Sequence, residues 1–354
     1  MKNCVIVIPV LNPGNGFIEY VKSLSSEDFK SIIIINDGSS EEKQPIFDEC
    51  EQIENVRILQ HAVNLGKGRA LKSAFNYILN ETDLCQANGV ITVDADGQHT
   101  MSDVLMLCRE LSGEGNKLIL GVRSFDNENV PTPNRLGNTI TRKLFNLLYG
   151  KHITDTQTGL RGFSLDVLPH LIDLEGERFN YETNVLIAAV RKKLTIEEIP
   201  IDTVYINENE SSHFRPFQDS FEIYWLLLKN FIKFMGVSIT SFLIDISLFQ
   251  LFVFILRFTF DRRRIVIATV LARAGSSLFN YSMNRSFVFK SKKKWNKTII
   301  GYYLLVIAEG ALSAGSVYLL YRLTGFREVL LKVGVDLVIF LISYRIQKLV
   351  VFKD

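Results

Sequence analysis

Short apolar runs alternate with polar stretches through the first part of the chain, and long apolar runs dominate its last third. Val5 to Val10, Ile32 to Ile35 and Val56 to Leu59 are nearly continuous apolar segments with helix-like polar sequence between them. Such runs predict buried strands, and their alternation with helices predicts βαβ units around a mainly parallel sheet. A further run, Val90 to Val93, ends in Asp94 Ala95 Asp96 Gly97 Gln98 His99. From about Phe231 the pattern changes to four apolar segments, at approximately 231–256, 265–289, 299–321 and 329–352. Each is near the roughly 20 residues that cross a bilayer core. In the stretch before them, Phe217, Phe221, Tyr224, Trp225 and Leu228 lie beside Arg215, Lys229 and Lys233, which predicts an amphipathic helix in the membrane interface. The expected organisation is an α/β domain over 1–213, an interfacial helix over 214–230 and an all-α membrane domain of four transmembrane helices over 231–354.

The membrane half carries an internal echo. Asn280 to Phe289 resembles Ser343 to Phe352 at an offset of 63 residues, which predicts two tandem helix pairs. Asp245 and Glu309 fall at nearly matching places in the two halves, and Arg273, Asp336 and Arg345 also lie within the apolar segments. Charges at that depth are costly, so they are expected to be functional or paired inside the bundle, Asp245 with Arg273 in particular. The loop 290–297 carries five lysines and is expected on the cytosolic side, with both termini. Arg262, Arg263 and Arg264, in the first external loop, run against that rule.

With 354 residues the chain exceeds one typical domain, and its 47% hydrophobic content is concentrated in the second part. A formal net charge of +2 gives no reason to expect a nucleic-acid partner. The chain opens directly on a strand without the pattern of a secretory signal, so the α/β half is expected to be cytosolic, on an integral protein of the inner or plasma membrane. Cys4, Cys50, Cys85 and Cys108 are widely spaced with no Cys-x-x-Cys, which points to reduced structural cysteines.

Chemistry concentrates after the strands. Ligands of open parallel sheets bind beyond the carboxyl ends of strands. Asp94 and Asp96, one residue apart where a strand gives out, project to the same side and offer hard oxygen ligands to Mg²⁺ or Mn²⁺. Asp37 and Ser39 follow the second strand and suit hydrogen bonds to a base or ribose. Asn64 Leu65 Gly66 Lys67 Gly68 Arg69 is a glycine-flanked basic turn opening a helix to about Leu79, and it suits phosphate. Neither Gly-x-Gly-x-x-Gly after the first strand nor Gly-x-x-x-x-Gly-Lys-Ser/Thr is present, which disfavours a Rossmann dehydrogenase and a P-loop NTPase.

Pro9, Asn36 Asp37 Gly38 Ser39, Asn64-x-Gly66 Lys67 Gly68 and Asp94 Ala95 Asp96 Gly97 Gln98 occur in the order and spacing of family 2 glycosyltransferases. They most resemble the polyprenyl-phosphate, dolichol-phosphate mannose synthase-like members. Asp155 to Phe163 looks like that family's Asp, Thr, Gly, Phe, Arg block, and the match covers about residues 3–225. The four apolar segments, with Asn280 Tyr281 x x Asn284 Arg285 x Phe287 x Phe289, resemble the GtrA-like membrane domain. The resemblance implies a GT-A-type fold. It implies that Asp94, Asp96 and Gln98 hold a metal or the donor diphosphate, that Pro9, Asn12, Asp37, Ser39, Lys67, Asp94 and Ala95 bind the donor, and that Asp96, Arg123, Arg135 and Arg161 are catalytic, the arginines as candidates for phosphate binding. Two departures stand out. Asn12 Pro13 Gly14 replaces an acidic residue near the first strand's end. Ser212 His213 Phe214 Arg215 stands where relatives often carry Ser-Lys, so Arg215 or His213 is left to supply that cation.

The expected reaction is metal-dependent, inverting transfer of a hexose from a nucleotide sugar of the GDP-mannose or UDP-glucose type to polyisoprenyl phosphate at the cytosolic membrane face. A lipid monophosphate is already ionised near pH 7 and needs no general base. Glu182 is a candidate for the acceptor entrance. A saccharide acceptor would need a base, and no carboxylate stands out for it; a lipid-sugar translocator with the α/β half as a binding module is a third reading. A homo-oligomer is compatible with all three.

Overall fold

The computed structural model describes residues 2–14, 16–111, 115–123, 132–202, 216–258 and 261–353, and within these the side chains of 132–136, 216–217 and 261–262 lie outside the description. The chain divides into two compact units, Met1–Leu226 and Leu227–Asp354.

In the first unit, strands β1 (Lys2–Val10), β2 (Phe29–Asn36), β3 (Val56–Gln60), β4 (Gly89–Thr92), β5 (Lys117–Arg123), β6 (Arg161–Ser164) and β7 (Thr195–Ile201) alternate with helices. These are α1 (Phe17–Ser25), α2 (Gln44–Glu51), α3 (Lys67–Asn80), α4 (Met101–Glu110), α5 (Thr132–Tyr149), α6 (Leu168–Ile172) and α7 (Asn180–Lys192). The seven strands form one sheet in the order β3-β2-β1-β4-β6-β5-β7. Among the described residues β6 alone runs antiparallel, to β4 and β5; every other pairing is parallel. The sheet is mainly parallel as expected.

Both faces of β1 are covered, which explains its unbroken apolar run. Cys4, Ile6 and Ile8 pack in one cluster with Phe17, Val21 and Leu24 of α1, Phe47 of α2, and Val104 and Leu107 of α4, while Val5 and Val7 are fully buried on the opposite face. Cys4, Cys50 and Cys108 are buried and all four cysteines are free thiols, in agreement with a structural role.

The second unit is helical: α8 (Pro216–Ile255), which begins in the first unit, α9 (Asp261–Met283), α10 (Trp295–Thr324) and α11 (Glu328–Ile346). The expected interfacial helix and first span are one continuous 40-residue α8, about 60 Å long at 1.5 Å per residue. No proline interrupts it after Pro216, so nothing stops the helix at the composition change near residue 230. Among the described residues, two helices are long and apolar enough to cross a membrane, Gln218–Ile255 and Trp295–Thr324. α9 is diluted by Arg273, Ser276, Ser277 and Asn280, and α11 by Lys332, Asp336 and Arg345.

The internal echo is real in three dimensions. α9 and α11 each end in a five-residue π-helical turn, Asn284–Val288 and Gln347–Val351. Their first residues, 63 apart in sequence and both buried, meet: Asn284 Nδ2 donates to Gln347 Oε1 at 3.3 Å. Phe289 stacks on Phe352 with centroids 5.3 Å apart. The cross pairs match as well, Tyr281–Phe352 at 5.9 Å and Tyr344–Phe289 at 5.8 Å, both tilted by 40°. The two helix pairs are therefore related by a quasi-twofold. Polar groups line a cavity of about 510 Å³ in this unit, including the expected ion pair Asp245–Arg273 at 3.4 Å. Ser313 and Lys332 each reach Asp336 at 2.6 Å.

Candidate active site

The carboxyl ends of β1, β2 and β4 lie side by side because these strands are parallel, and they open onto a cavity of about 430 Å³. That volume lies within the roughly 300–1,000 Å³ of small-molecule sites. Pro9 and Asn12 from the end of β1, Asp37 from β2, Lys67 from the start of α3, and Asp94, Ala95 and Asp96 after β4 all line it.

Asp94 is the electrostatic centre. Lys67 Nζ lies 2.6 Å from its Oδ1, and His99 Nε2 lies 3.4 Å from its Oδ2. Burial by itself would raise the Asp94 pKa, but the ammonium and the imidazole outweigh it and hold the carboxyl well below the usual range. Lys67 also lies 2.9 Å from Glu182 Oε1, so its charge is shared between two carboxylates. Gly159 makes room for this arrangement: a Cβ there would stand 2.1 Å from Asp94 Oδ2.

Asp37 is almost fully buried, and both its oxygens are engaged. Oδ1 contacts His61 Nδ1 at 2.7 Å and accepts from Leu65 N at 3.0 Å, while Oδ2 accepts from Gly66 N at 2.7 Å. Its carboxylate thus pins the glycine-flanked turn to the end of β2. Ser39 does not line the cavity; its Oγ accepts from Asn12 N at 2.9 Å, and Asn12 Oδ1 accepts from Ser40 N at 2.9 Å. Asn12 occupies the left-handed region at φ 47°, a conformation that asparagine tolerates better than most residues.

Two of the expected arginines, Arg123 and Arg161, do not line this cavity. Arg161 is 2% exposed inside the unit, where its guanidinium donates to the carbonyls of Thr158 at 2.8 Å, Glu182 at 2.8 Å and Thr156 at 3.5 Å. Expected among the phosphate-binding residues, it is placed as a buried brace, because three inward-pointing carbonyls need donors. Arg123 forms a two-pronged pair with the buried Asp155, at 2.7 and 3.1 Å. The side chain of Arg135 lies outside the described residues, as do His213 and Arg215. Gln98 does not line the cavity, and its backbone N–H donates to Asp96 Oδ1 at 3.1 Å. Glu182 is buried and bound to Lys67, so it is part of the site's framework. Arg178 and Phe179 also line the cavity, although in the sequence nothing distinguishes Glu177 Arg178 Phe179 from the start of an ordinary helix.

A divalent cation fits the donor set. Asp96 stands on the cavity wall with one oxygen held by Gln98 N–H, and its pKa is pushed up by burial and by the Asp94 charge, as where negative charge lacks compensation. Among the described residues no group of three or more His, Cys, Asp or Glu side chains forms a cage. That suits an ion such as Mg²⁺, which takes one or two carboxylates and completes its shell with phosphate and water.

Both parts of the chain match known proteins. The profile of Glycosyl transferase family 2 matches residues 5–172, and that of the GtrA/DPMS transmembrane domain matches residues 233–352. An uncharacterized protein of Methanocaldococcus jannaschii is 32% identical over 204 residues, covering 56% of this chain and 81% of its own. The UDP-N-acetylglucosamine–dolichyl-phosphate N-acetylglucosaminyltransferase of Methanococcus voltae is 29% identical over 225 residues, 58% of this chain and 86% of its own. The dolichyl-phosphate beta-glucosyltransferase of Saccharomyces cerevisiae is 28% identical over 201 residues, 48% of this chain and 55% of its own. The chain belongs to glycosyl transferase family 2, as an α/β transferase domain joined to a GtrA/DPMS transmembrane domain.

Proposed function

We propose that this transferase moves a hexose from a nucleotide sugar of the GDP-mannose or UDP-glucose type onto polyisoprenyl phosphate at the cytosolic membrane face, with Mg²⁺ or Mn²⁺ and with inversion at the anomeric carbon. One observation carries the acceptor assignment. Among the described residues the carboxylates lining the cavity are already committed, Asp37 to His61 and two amides and Asp94 to Lys67, which also holds the neighbouring Glu182, with Asp96 left for the cation. A neutral hydroxyl acceptor would need one of them as a base, whereas a phosphate monoester arrives ionised. The named activities of the dolichyl-phosphate transferases among its relatives support the same acceptor class.

A phosphate oxygen of the acceptor attacks the anomeric carbon, and the bond from that carbon to the diphosphate breaks, the leaving nucleoside diphosphate taking the electron pair. Asp96, with Asp94 beside it, would hold the divalent cation, which stabilises charge on the departing diphosphate. Lys67 keeps Asp94 ionised and fixed, and Asp37 holds the turn that carries Lys67. The lysine-rich loop 290–297 supports a cytosolic face for the reaction.

The test is to incubate detergent-solubilised full-length protein with polyprenyl phosphate, Mg²⁺ or Mn²⁺ and a panel of radiolabelled nucleotide sugars, and to count label in the organic phase. Label that requires both the lipid and Asp96, with Asp96→Asn as control, establishes the reaction and names the donor. Nucleotide-sugar binding without lipid labelling under any donor overturns the acceptor assignment.

A further inference from the structure

We propose that Arg178 binds the diphosphate of the donor, a role that rests on the cavity taking a nucleotide sugar. Diphosphate recognition calls for a cation whose charge is not already spent on a carboxylate, and among the described basic residues that criterion separates Arg178 from the others. Lys67 lies within 3 Å of both Asp94 and Glu182. Arg123 is bound to Asp155, and Arg161 is buried among carbonyls; neither lines the cavity. Arg178 lines it, is half-buried, and has no ion-pair partner among the described residues. Its planar guanidinium presents paired donors that match two phosphate oxygens.

The surrounding structure holds Arg178 in place. Glu177, the residue before it, is gripped by Arg69 at 2.7 Å and Lys72 at 3.0 Å, while its carbonyl accepts from Arg69 N at 3.0 Å. The Arg178 N–H donates to Asn180 Oδ1 at 3.3 Å. Gly66, at φ 99°, lets this segment lie against the turn: a Cβ there would stand 2.5 Å from the Glu177 carbonyl oxygen and 2.9 Å from Arg178 Cγ. The glycine-flanked turn, which in sequence looks like a phosphate cradle, thus serves as the bracket that brings residues 177–179 to the cavity. Asp37 fixes that bracket through Gly66 N–H. The phosphate-binding charge comes from a segment more than 100 residues later in the chain.

The experiment is calorimetric titration of purified full-length protein with UDP, GDP, uridine and guanosine, with and without Mg²⁺, for wild type, Arg178→Ala and Arg178→Lys, with melting temperatures as a folding control. For the nucleotide that wild type binds, Arg178→Ala is expected to weaken diphosphate binding about 10- to 100-fold. Nucleoside affinity stays unchanged, and Arg178→Lys recovers part of the loss. Unchanged diphosphate affinity in Arg178→Ala overturns the proposal, and so does an equal loss for nucleoside and diphosphate. A raised KM for polyprenyl phosphate at unchanged nucleotide affinity also overturns it, by moving Arg178 to the acceptor. Wild type that binds neither nucleotide overturns the donor reading itself, a result distinct from any Arg178 variant effect.

Discussion

Lys67 Nζ lies 2.6 Å from Asp94 Oδ1, and that one pair joins the turn after β3 to the carboxyl end of β4. The Lys67 side chain is 16% exposed, and its ammonium also lies against Glu182, whose side chain is 10% exposed. A buried cation between two carboxylates sets the shape and the charge of the cavity together, because neither acid keeps its geometry when the cation leaves.

Lys67→Met is therefore expected to destabilise the protein by about 2 to 3 kcal/mol, at or below the low end for broken buried ion pairs because Asp94 retains 30% of its side-chain surface. Adding Glu182→Gln removes one stranded charge and recovers part of the loss. Thermal melts of the single and double variants check this; a double variant less stable than Lys67→Met alone contradicts it.

Gly159→Ala places a methyl group where the Asp94 carboxylate now sits. The carboxylate can move aside only by straining its contacts with Lys67 and His99, so the melting temperature is expected to fall by several degrees. Transferase activity should drop by about 10²-fold, the scale of losing one preorganised electrostatic contact. Wild-type activity in a correctly folded variant would show that the position of Asp94 does not matter.

Asp96→Asn keeps the shape of a half-buried side chain and removes the carboxylate proposed to hold the cation. Its transfer rate is expected to fall at least about 10²-fold with little change in melting temperature. Chelation with EDTA should abolish wild-type turnover, and Mg²⁺ or Mn²⁺ should restore it. Full turnover in EDTA would remove the metal from the mechanism.

Arg161→Met should act through stability. Three backbone carbonyls lose their donor in a dry interior, at about 1 to 3 kcal/mol for each group left unsatisfied, so a loss of 3 kcal/mol or more is expected. Low yield and an early melt are the signature. A variant with wild-type stability and no activity would return Arg161 to the chemistry.

Asn284 and Gln347 are equivalent residues of the two helix pairs and hydrogen-bond to each other. A double-mutant cycle of Asn284→Ala and Gln347→Ala is expected to give a coupling of about 0.6 kcal/mol, and no more than about 1.7, as for polar pairs between membrane helices. Strict additivity would mean that the pair does not hold the two halves together.

The strand–helix alternation, the mainly parallel sheet, the carboxylates after β4 and the doubling of the membrane half were all legible in sequence. Each depends on short-range pattern: apolar runs mark buried strands, a strand's end fixes where Asp94 and Asp96 emerge, and an offset of 63 residues survives in the string itself. The absence of a break in α8 was harder to read, because composition changes near residue 230 while helical hydrogen bonding does not. What the tertiary structure alone decided is which charges are spent. Lys67 and Arg161 look in sequence like ready phosphate ligands, yet one is claimed by Asp94 and Glu182 and the other by three carbonyls, partners that lie 27 and 115 residues from Lys67 and 3 to 21 from Arg161. Arg178 carries no motif and reaches the cavity because Gly66 admits its segment. Residue type sets what a side chain can bind, but a charge in a folded chain goes to the nearest partner in space, and that neighbour is set by packing between distant segments.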